Sequence, residues 1–447
     1  MVPNALAEHL KLKLDEDQLT NCMRCGFCLP ACPTFRETGV EAESPRGRIA
    51  LMKAVADGIM EPDQLFQEQM NHCLGCRACE PACPADVHYG SLLEQARNSI
   101  EQHGVRHRPW VKLLRAVAFR HIFPKQKRVR MLGSVLAAYK KTGLQKAARR
   151  SGLLKLFPKY LRQMEQILPE ASSKGVVERL GEKMPAVGAP IAKVGLFRGC
   201  IMDILFSDTN VHTAELLAAA GFEVILPAEQ NCCGAMHAHN GELEQAKELA
   251  RWNIRVFRET GVDFIASNAG GCGTLLIEYD HLLKDDPEWE ENASWFAGRV
   301  KDTSELLLEF GRPLRFKQGS SEVDTDNKII RVTYQDSCHL RNVMKGGISP
   351  RKLLHMVPGA EFIEMKEADR CCGSAGTYNL TQPEMAGQIL EHKMEHANAV
   401  SPSCIVTSNP GCLLQMKLGV FLHGLSKETQ VKHINDFLYE RIESPAP

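Results

Sequence analysis

The sequence predicts an α+β multidomain protein, in which a mostly α-helical N-terminal domain precedes two tandem α/β domains with parallel sheets. Three observations support this prediction: a cysteine motif at residues 21–35 recurs at 72–86, a longer repeat fills the C-terminal half, and strand-like and helix-like segments alternate within that repeat. At about 150 residues per domain, a chain of 447 residues accommodates roughly three domains. We place the domain boundaries at 1–105, 106–192, 193–325 and 326–447.

The composition and the N-terminus limit the classes of protein to which the chain can belong. Lys plus Arg and Asp plus Glu each number 54, so the formal net charge is zero and no global charge favours nucleic acid binding. The chain has no apolar run of about 18 residues, and its N-terminus lacks the apolar core and cleavage site of a secretory signal. We therefore expect a cytoplasmic protein. Thiols stay reduced there, so 17 cysteines indicate metal ligands rather than disulfides.

The two N-terminal motifs both have the spacing C-x2-C-x2-C-x3-C followed by Pro, which is typical of two-cluster ferredoxins. Their cysteines are Cys22, Cys25, Cys28 and Cys32 in the first motif, and Cys73, Cys76, Cys79 and Cys83 in the second. In two-cluster ferredoxins the fourth cysteine of each motif ligates the other cluster. We therefore predict one [4Fe–4S] cluster on Cys22, Cys25, Cys28 and Cys83, and a second on Cys73, Cys76, Cys79 and Cys32.

Structural zinc is the alternative for these motifs. Zinc ribbons usually separate two C-x2-C pairs by many residues, so three cysteines within seven residues fit a zinc tetrahedron poorly. The segment between the motifs, SPRGRIALMKAVADG, reads as a helix that Ser44 caps and Pro45 begins. The N-terminal domain is thus predicted to be a mostly helical, two-cluster ferredoxin-like domain.

The region from about 101 to 192 contains no cysteine and is predicted to be a helical, basic connector. Its segments WVKLLRAVAFRHIF and SGLLKLFPKYLRQMEQIL combine apolar and basic residues at helical spacing. Such helices can lie on an anionic membrane or on an acidic partner. The alternative, which we favour at this point, is that they pack on the rest of the chain with their charges solvated.

A tandem duplication organises the C-terminal half. Offsets of 138, 139 and 140 residues separate Cys200, Cys232 and Cys272 from their counterparts Cys338, Cys371 and Cys412. In each copy the middle cysteine belongs to a Cys-Cys-Gly sequence. The two predicted metal-ligating sets are Cys200, Cys232, Cys233 and Cys272, and Cys338, Cys371, Cys372 and Cys412.

Each of these cysteines follows a predicted strand, at KVGLF, EVILP and DFIAS in the first copy and IIRVTY, EFIEM and CIVTS in the second. The carboxyl ends of parallel strands lie side by side, so we expect the four thiols of each copy to converge. Each set could hold a structural zinc or a further iron–sulfur cluster, because both take thiolate ligands. We favour a cluster, since electrons from two N-terminal clusters need an onward route. Cys404 begins its strand at the opposite end and is expected to be buried and inert.

The sequence offers no catalytic site. No GxGxxG stands between a strand and a helix, so the chain is expected to bind neither FAD nor NAD, and we predict no catalytic residue. His339 follows Cys338 and is expected to be a hydrogen-bonded polar side chain rather than a ligand. Asp208 and Thr381 are predicted helix caps, and Gly221 is a predicted helix stop.

Six stretches together resemble the iron–sulfur subunits of bacterial glycolate oxidase over nearly the whole chain: CMRCGFCLPACPTF, SPRGRIALMKAVADG, CLGCRACEPACP, CCGAMHAHNGE, YQDSCHLRNV and CCGSAGTYNLTQPEMA. The resemblance implies two [4Fe–4S] motifs followed by two cysteine-rich CCG domains. It also implies FAD-containing partner subunits that oxidise glycolate to glyoxylate, and often D-lactate. The chain itself would pass electrons to quinone or another acceptor, peripherally on the inner face of the cell membrane.

Two relatives of the same architecture supply the alternatives, namely the iron–sulfur subunit of anaerobic glycerol-3-phosphate dehydrogenase and heterodisulfide reductase. In heterodisulfide reductase the CCG motif ends in C-x2-C, and its cluster is catalytic. Here Ala269 stands three residues before Cys272, and Asn409 stands three before Cys412. This departure argues against thiol–disulfide or heterodisulfide chemistry.

Overall fold

The structure is a computed structural model that describes residues 5–104, 108–169, 171–317, 329–424 and 428–443. Within these residues no helix is long and apolar enough to cross a membrane. The observed architecture is α+β, with helical N-terminal and connector regions followed by two α/β units, as the sequence predicts.

The N-terminal domain is helical, and its small core contains the side chains of Leu10, Met52, Met70 and Leu92. Pro45 begins helix α4 and the Ser44 hydroxyl accepts a hydrogen bond from the Gly47 amide, which confirms the predicted cap. The helices are α1 Ala5–Lys13, α2 Glu16–Asn21, α3 Pro33–Thr38, α4 Pro45–Ala56, α5 Gln64–Asn71 and α6 Tyr89–Ser99, with a 3₁₀ turn at Glu41–Glu43 and a π-helical turn at Ile100–Gly104.

Four helices, which we call the connector helices, link the N-terminal domain to the first α/β unit. They are α7 Pro109–Ala116, α8 Gln126–Lys141, α9 Leu144–Arg150 and α10 Lys159–Ile167, with a π-helical turn at Val117–Ile122 and a 3₁₀ turn at Leu153–Leu156. Helix α8 buries Gln126, Val129, Gly133 and Ala137 at helical spacing against the first α/β unit. Helices α7 and α10 contain no fully buried side chain. The expectation that the connector packs on the chain therefore holds for one face of α8, for the buried Phe119 of the π-helical turn, and for Tyr160 and Met164 of α10, which are partly buried.

The first α/β unit contains a five-stranded sheet of order β1-β3-β2-β4-β5, in which only β1 runs antiparallel. Its strands are β1 Lys183–Met184, β2 Ala192–Phe197, β3 Phe222–Ile225, β4 Phe264–Ser267 and β5 Val300–Asp302. Its helices are α11 Val176–Leu180, α12 Met202–Leu205, α13 Ser207–Ala219, α14 Ala235–His239, α15 Leu243–Arg258, α16 Gly270–Ile277, α17 Tyr279–Leu282, α18 Glu290–Ala297 and α19 Thr303–Glu305, and a π-helical turn follows at Leu306–Phe310.

The second α/β unit repeats this topology in a four-stranded parallel sheet of order β7-β6-β8-β9. Its strands are β6 Ile330–Gln335, β7 Ala360–Phe362, β8 Cys404–Thr407 and β9 Gln430–His433. Its helices are α20 Cys338–Asn342, α21 Ser349–His355, α22 Tyr378–Thr381, α23 Pro383–Ala399, α24 Pro410–His423 and α25 Ile434–Tyr439. The order of the four parallel strands is the same in both units, which supports the duplication read from the sequence.

A single apolar core joins the two sheets. It includes Val194 and Val224 from the first unit and Val332, Val406 and Phe437 from the second. At its edge, α13 packs on α25. There His212 Nδ1 lies 2.8 Å from Asp436 Oδ1, and the Asn435 amide donates to Thr213 Oγ1 over 2.7 Å. The two units are therefore coupled rather than independent.

Two predicted helix caps are wrong. Asp208 lies in the first turn of α13, where its carboxylate pairs with Arg179, and Phe206 occupies the cap position. Thr381 ends α22 instead of capping α23, because its hydroxyl donates back to the carbonyl of Tyr378. In both cases the polar side chain found another local partner. Gly221, with a φ of 93°, follows α13 as predicted.

The glycine of each Cys-Cys-Gly sequence makes a turn that no other residue can make without strain. Gly234 and Gly373 have φ values of 92° and 89°. A Cβ atom on Gly373 would lie 2.7 Å from the Ala386 carbonyl oxygen in α23. The missing side chain therefore lets the cysteine pair approach the backbone of the following helix.

We predict that Gly373→Ala destabilises the protein more than Gly359→Ala. Gly359 shares a positive φ of 75°, but no atom lies within 4 Å of its would-be Cβ. Both substitutions incur about 1–2 kcal/mol from the left-handed backbone. Only Gly373→Ala loses a further 1–3 kcal/mol, roughly, to steric overlap, because the Ala386 carbonyl belongs to a helix backbone and cannot move aside as a side chain could. Urea unfolding of the two variants measures the difference, and equal losses of stability would contradict this account of the turn.

Candidate metal centres

Sixteen of the 17 cysteines lie in four sets, and the structure brings the members of each set together. We name the sets by position. The outer set is Cys22, Cys25, Cys28 and Cys83, and the inner set is Cys32, Cys73, Cys76 and Cys79. The first CCG set is Cys200, Cys232, Cys233 and Cys272, and the second CCG set is Cys338, Cys371, Cys372 and Cys412. Cys404 stands apart, buried at the start of β8.

The outer set lines one cavity near the surface. Its four sulfur-bearing residues surround this cavity together with Arg46 and Tyr89, while Cys79 of the inner set also touches it. Three members come from the first motif and Cys83 comes from the second, which is the crossed combination that the spacing predicts. Cys25 is exposed, so this set opens toward solvent.

The inner set is more deeply placed, and all four of its residues are buried. Burial raises the pKa of Cys32 despite its hydrogen bond with Thr34, and the neighbouring Cys73 raises it further. Burial also raises the pKa of Cys79 well above its ordinary value, with contributions from Cys76, Cys73 and Cys32. Cys32 from the first motif thus stands among the first three cysteines of the second.

Tyr89 connects the two sets. Its ring lines the cavity of the outer set, and its hydroxyl donates to Cys73 Sγ of the inner set over 3.5 Å. The side chain is only 3% exposed, so water does not compete for this hydrogen bond. A hydrogen bond to a ligating sulfur stabilises negative charge there and raises the reduction potential of the site.

A buried cation, Arg48, lies within electrostatic reach of the inner set. The Arg48 side chain is fully buried, and its guanidinium donates to Glu43 Oε2 over 2.7 Å and to the Gln69 carbonyl over 2.8 Å. Although burial opposes it, the charges of Cys73, Cys32 and Glu43 raise the pKa of Arg48. The same charge interaction lowers the pKa of Cys32, against the larger opposing effect of its burial. Arg48 therefore favours negative charge at the inner set.

Residues of the second α/β unit hold the loop that carries Cys73 and Cys76. His339 Nε2 lies 2.9 Å from the Gly75 carbonyl, and the Asn342 amide donates to the Cys76 carbonyl over 2.9 Å. The Tyr378 hydroxyl donates to the His72 carbonyl over 3.1 Å. Burial lowers the pKa of His339 to about 4, so it is neutral. His339 thus positions the loop, in line with the expectation that it is a hydrogen-bonded polar side chain.

The thiols of each CCG set lie within electrostatic reach of one another. Cys200 donates to Cys232 Sγ over 3.6 Å, and charge interactions link Cys232 to Cys233 and Cys233 to Cys272. The second CCG set is linked in the same order. Donation to the next sulfur and burial raise the pKa of Cys200 and Cys338 well above their ordinary values. The four thiols of each repeat therefore converge at the carboxyl ends of parallel strands, as the topology requires.

The sets adjoin one another in series. Cys76 of the inner set shares a buried cluster with Cys371 and Cys338 of the second CCG set. Cys272 of the first CCG set packs on the cluster that contains Cys372 and Cys412. The sets are thus neighbours in the order outer, inner, second CCG and first CCG.

The residues present fit thiolate-ligated metal. Each set offers four thiol sulfurs, which is the ligand type that [4Fe–4S] clusters and zinc share, and the thiols would lose their protons on binding metal. A [4Fe–4S] cluster supplies one-electron transfer when bound. Within the described parts of the chain, no three His, Cys, Asp or Glu side chains stand in an arrangement that could hold a single metal ion.

Several residues around the inner set carry no signal in the sequence. Tyr89, Thr34 and Arg48 fall outside the cysteine spacing, and the Asn342 contact crosses from one domain to another. Their roles arise from packing that brings distant segments together. Arg48 lies on α4, between the two motifs, and was the one residue whose charge in an apolar helix face could have drawn notice.

We predict that Tyr89→Phe lowers the midpoint potential of the inner site. The substitution keeps the ring and removes the donor to Cys73 Sγ. A hydrogen bond worth about 1 kcal/mol corresponds to roughly 40 mV for a one-electron couple. Potentiometric titration followed by EPR measures the shift.

Tyr378→Phe is the matched control for this prediction. Tyr378 is buried beside the same set, but its hydroxyl donates to the His72 carbonyl rather than to a sulfur. Its removal is expected to leave the midpoint potential nearly unchanged. Equal shifts in the two variants would mean that the Tyr89 hydroxyl has no specific effect on the sulfur.

Comparisons with protein-family models cover most of the chain. A 4Fe-4S dicluster domain matches residues 18–87, and a cysteine-rich domain matches residues 194–277 and 332–417. Between them, the linker region of the glycolate oxidase iron–sulfur subunit matches residues 110–168. The matched ranges coincide with the ferredoxin-like motifs, the two α/β units and the connector helices.

Comparisons with curated proteins give relatives of nearly full length. The chain is 49% identical over 436 residues to a probable glycolate oxidase iron–sulfur subunit of Bacillus subtilis, covering 97% of this chain and 96% of the relative. It is 32% identical over 397 residues to the glycolate oxidase iron–sulfur subunit of Escherichia coli, covering 88% of each. Lactate utilization protein A of Oceanobacillus iheyensis is 32% identical over 246 residues, which are 55% of this chain and 96% of that protein. The chain therefore belongs to the family of glycolate oxidase iron–sulfur subunits.

Proposed function

We propose that this chain is the electron-transfer subunit of a membrane-associated glycolate oxidase. Oxidation of glycolate to glyoxylate releases two electrons and two protons, which a flavin on a partner subunit takes up. The chain then passes the electrons singly to quinone, which becomes quinol on taking up two protons. This chain contributes no catalytic residue for the oxidation itself.

The serial arrangement of the four thiol sets carries this proposal. The exposed outer set leads to the buried inner set, which shares a cluster of buried side chains with the second CCG set. The second CCG set in turn adjoins Cys272 of the first. A protein that only needed structural metal would gain nothing from such a continuous series, whereas one-electron transfer requires neighbouring centres.

The outer set is the proposed entry point for electrons. Two apolar side chains beside it, Met23 and Phe27, are each 67% exposed. Exposed apolar side chains around an exposed redox centre favour a protein partner that brings its own cofactor close. We assign this surface to the flavin-containing subunit.

The proposed substrates of the complex include D-lactate as well as glycolate. The name of the relative from Oceanobacillus iheyensis refers to lactate utilization, and glycolate and lactate are both 2-hydroxy acids. Because the substrate would bind to the partner subunit, this chain would serve either oxidation unchanged. We likewise propose the four domains at 1–105, 106–192, 193–325 and 326–447, and a peripheral location on the inner face of the cell membrane.

The alternatives receive less support. Catalysis of heterodisulfide chemistry by a CCG cluster would use a fifth cysteine at the positions of Ala269 and Asn409. Ala269 is 2% exposed, and the Asn409 amide donates to Cys412 Sγ over 3.6 Å, so both positions already serve the packing of the site. The glycerol-3-phosphate dehydrogenase alternative differs only in the substrate of the partner.

We predict that Cys25→Ser and Cys76→Ser each abolish reduction of quinone by the complex with glycolate as substrate. Each removes one sulfur from a different set in the series. Cys404→Ser is the matched control, because Cys404 is buried but lies outside the four sets. It is expected to retain activity. Anaerobic assays of the three complexes measure the outcome, and full activity in Cys25→Ser or Cys76→Ser would refute the relay.

A further inference from the structure

The connector helices carry a charge that the neutral composition of the whole chain conceals. Residues 102–164 contain 17 Lys and Arg and no Asp or Glu. Eight of the 17 are lysines. A segment of this length with one sign of charge attracts an anionic surface and repels a cationic one.

Helix α7 directs apolar side chains into solvent. Trp110, Leu113, Leu114 and Val117 follow the i, i+3, i+4, i+7 spacing, so they share one helical face. The first three are 62%, 66% and 60% exposed. The opposite face is the one that contacts the protein, since Arg115 pairs there with Glu242. Helix α7 therefore has an unpartnered apolar stripe.

Helix α8 repeats this arrangement. Its inward face carries the buried side chains of Val129 and Ala137, while Met131 and Val135 on the other side are each 63% exposed. Another pair of exposed apolar side chains, Leu156 and Phe157, follows α9. Three successive parts of the connector thus expose apolar side chains.

Four exposed cations of α7, α8 and the segment between them have no acidic partner among the described residues. Lys112, Arg120, Lys125 and Lys127 are exposed, and none of them forms an ion pair within the described residues. Unpaired cations beside exposed Trp and Leu are the composition of helices that lie in a membrane interface. Protein–protein interfaces, in contrast, are depleted in lysine.

We propose that the connector helices dock the protein on an anionic lipid surface. The apolar stripes of α7 and α8 enter the boundary between headgroups and acyl chains, and the surrounding lysines and arginines bind the lipid phosphates. The proposal deepens the function proposed above, on which its place in electron transfer rests, because it assigns the membrane contact to particular residues.

The position of the connector suits delivery of electrons to a membrane acceptor. Helix α8 packs through Val129 and Ala137 on the buried cluster that includes Cys200 and Cys232. Helix α10 packs through Tyr160 and Met164 on the cluster that includes Cys372 and Cys412. The connector thus covers both CCG sets, and docking through it would bring them toward the lipid.

The test is flotation of the full-length chain, purified without oxygen, with vesicles of phosphatidylglycerol and phosphatidylcholine in equal parts or of phosphatidylcholine alone. We expect binding to the anionic vesicles only, with weaker binding at high salt. Lys112→Gln with Lys127→Gln should reduce binding by roughly fivefold for each cation at the lipid surface. Trp110→Ser with Leu113→Ser should also reduce it.

Matched control variants come from the N-terminal domain. Leu12 and Ile59 are 78% and 79% exposed, and Lys11 and Lys13 lie on the exposed side of α1. Serine at the two apolar positions and glutamine at the two lysines should leave binding unchanged. As an independent readout, tryptophan emission should shift to the blue with anionic vesicles and lose that shift in Trp110→Phe.

Equal binding to neutral and anionic vesicles, or equal losses in the connector and control variants, would overturn the proposal. So would capture of the flavin subunit by this face without vesicle binding, which would identify a protein surface. The relay is tested separately by dye reduction in detergent solution. If the unmodified protein does not bind anionic vesicles while its complex reduces dye, the docking surface alone is refuted. If the unmodified protein binds anionic vesicles but its complex does not reduce dye, the relay alone is refuted.

Discussion

The interdependence of the two N-terminal cysteine motifs is the constraint on which the rest of the structure depends. Cys83 joins three cysteines of the first motif around one cavity, and Cys32 joins three of the second in the domain interior. Neither set is complete unless both motifs lie side by side. Helices α4 and α6 satisfy this requirement, because Arg48 of α4 and Tyr89 of α6 both reach the inner set. The domain core is therefore organised around sulfur as much as around apolar side chains.

The C-terminal half also brings four thiols together in each set, but by its sheet topology rather than by motif spacing. Here thiols separated by more than seventy residues converge because parallel strands align their carboxyl ends, and the duplication produces the arrangement twice. A shared apolar core holds the two sheets together, and His339, Asn342 and Tyr378 hold the inner-set loop against the second sheet. These contacts keep the four sets at fixed relative positions, which the proposed series of one-electron centres requires.

Much of this arrangement could be predicted from the sequence, because cysteine spacing and strand order obey simple geometric rules. The four sets, the parallel strands β2, β3, β4, β6, β7 and β8, and the Ser44 cap all follow from local patterns. The edge strands β1, β5 and β9 were missed, because no cysteine follows them to mark their ends, as one does for each predicted strand. The caps at Asp208 and Thr381 failed because local partners competed for their side chains. Tyr89, Arg48 and the outward apolar stripe of α7 required the fold, because exposure and long-range contact are not encoded in spacing.

The molecule has two proposed interaction surfaces, an exposed sulfur site beside Met23 and Phe27, and the basic apolar connector that packs on the CCG sets. The central proposal is that all four sets bind iron–sulfur clusters. The most direct test is iron, zinc and acid-labile sulfide per chain in protein purified without oxygen, together with EPR of the reduced sample. The account predicts about twelve to sixteen irons with matching sulfide and no zinc. About eight irons with zinc would limit the series to its first two sites, and zinc without iron would contradict the account from the first motif onward.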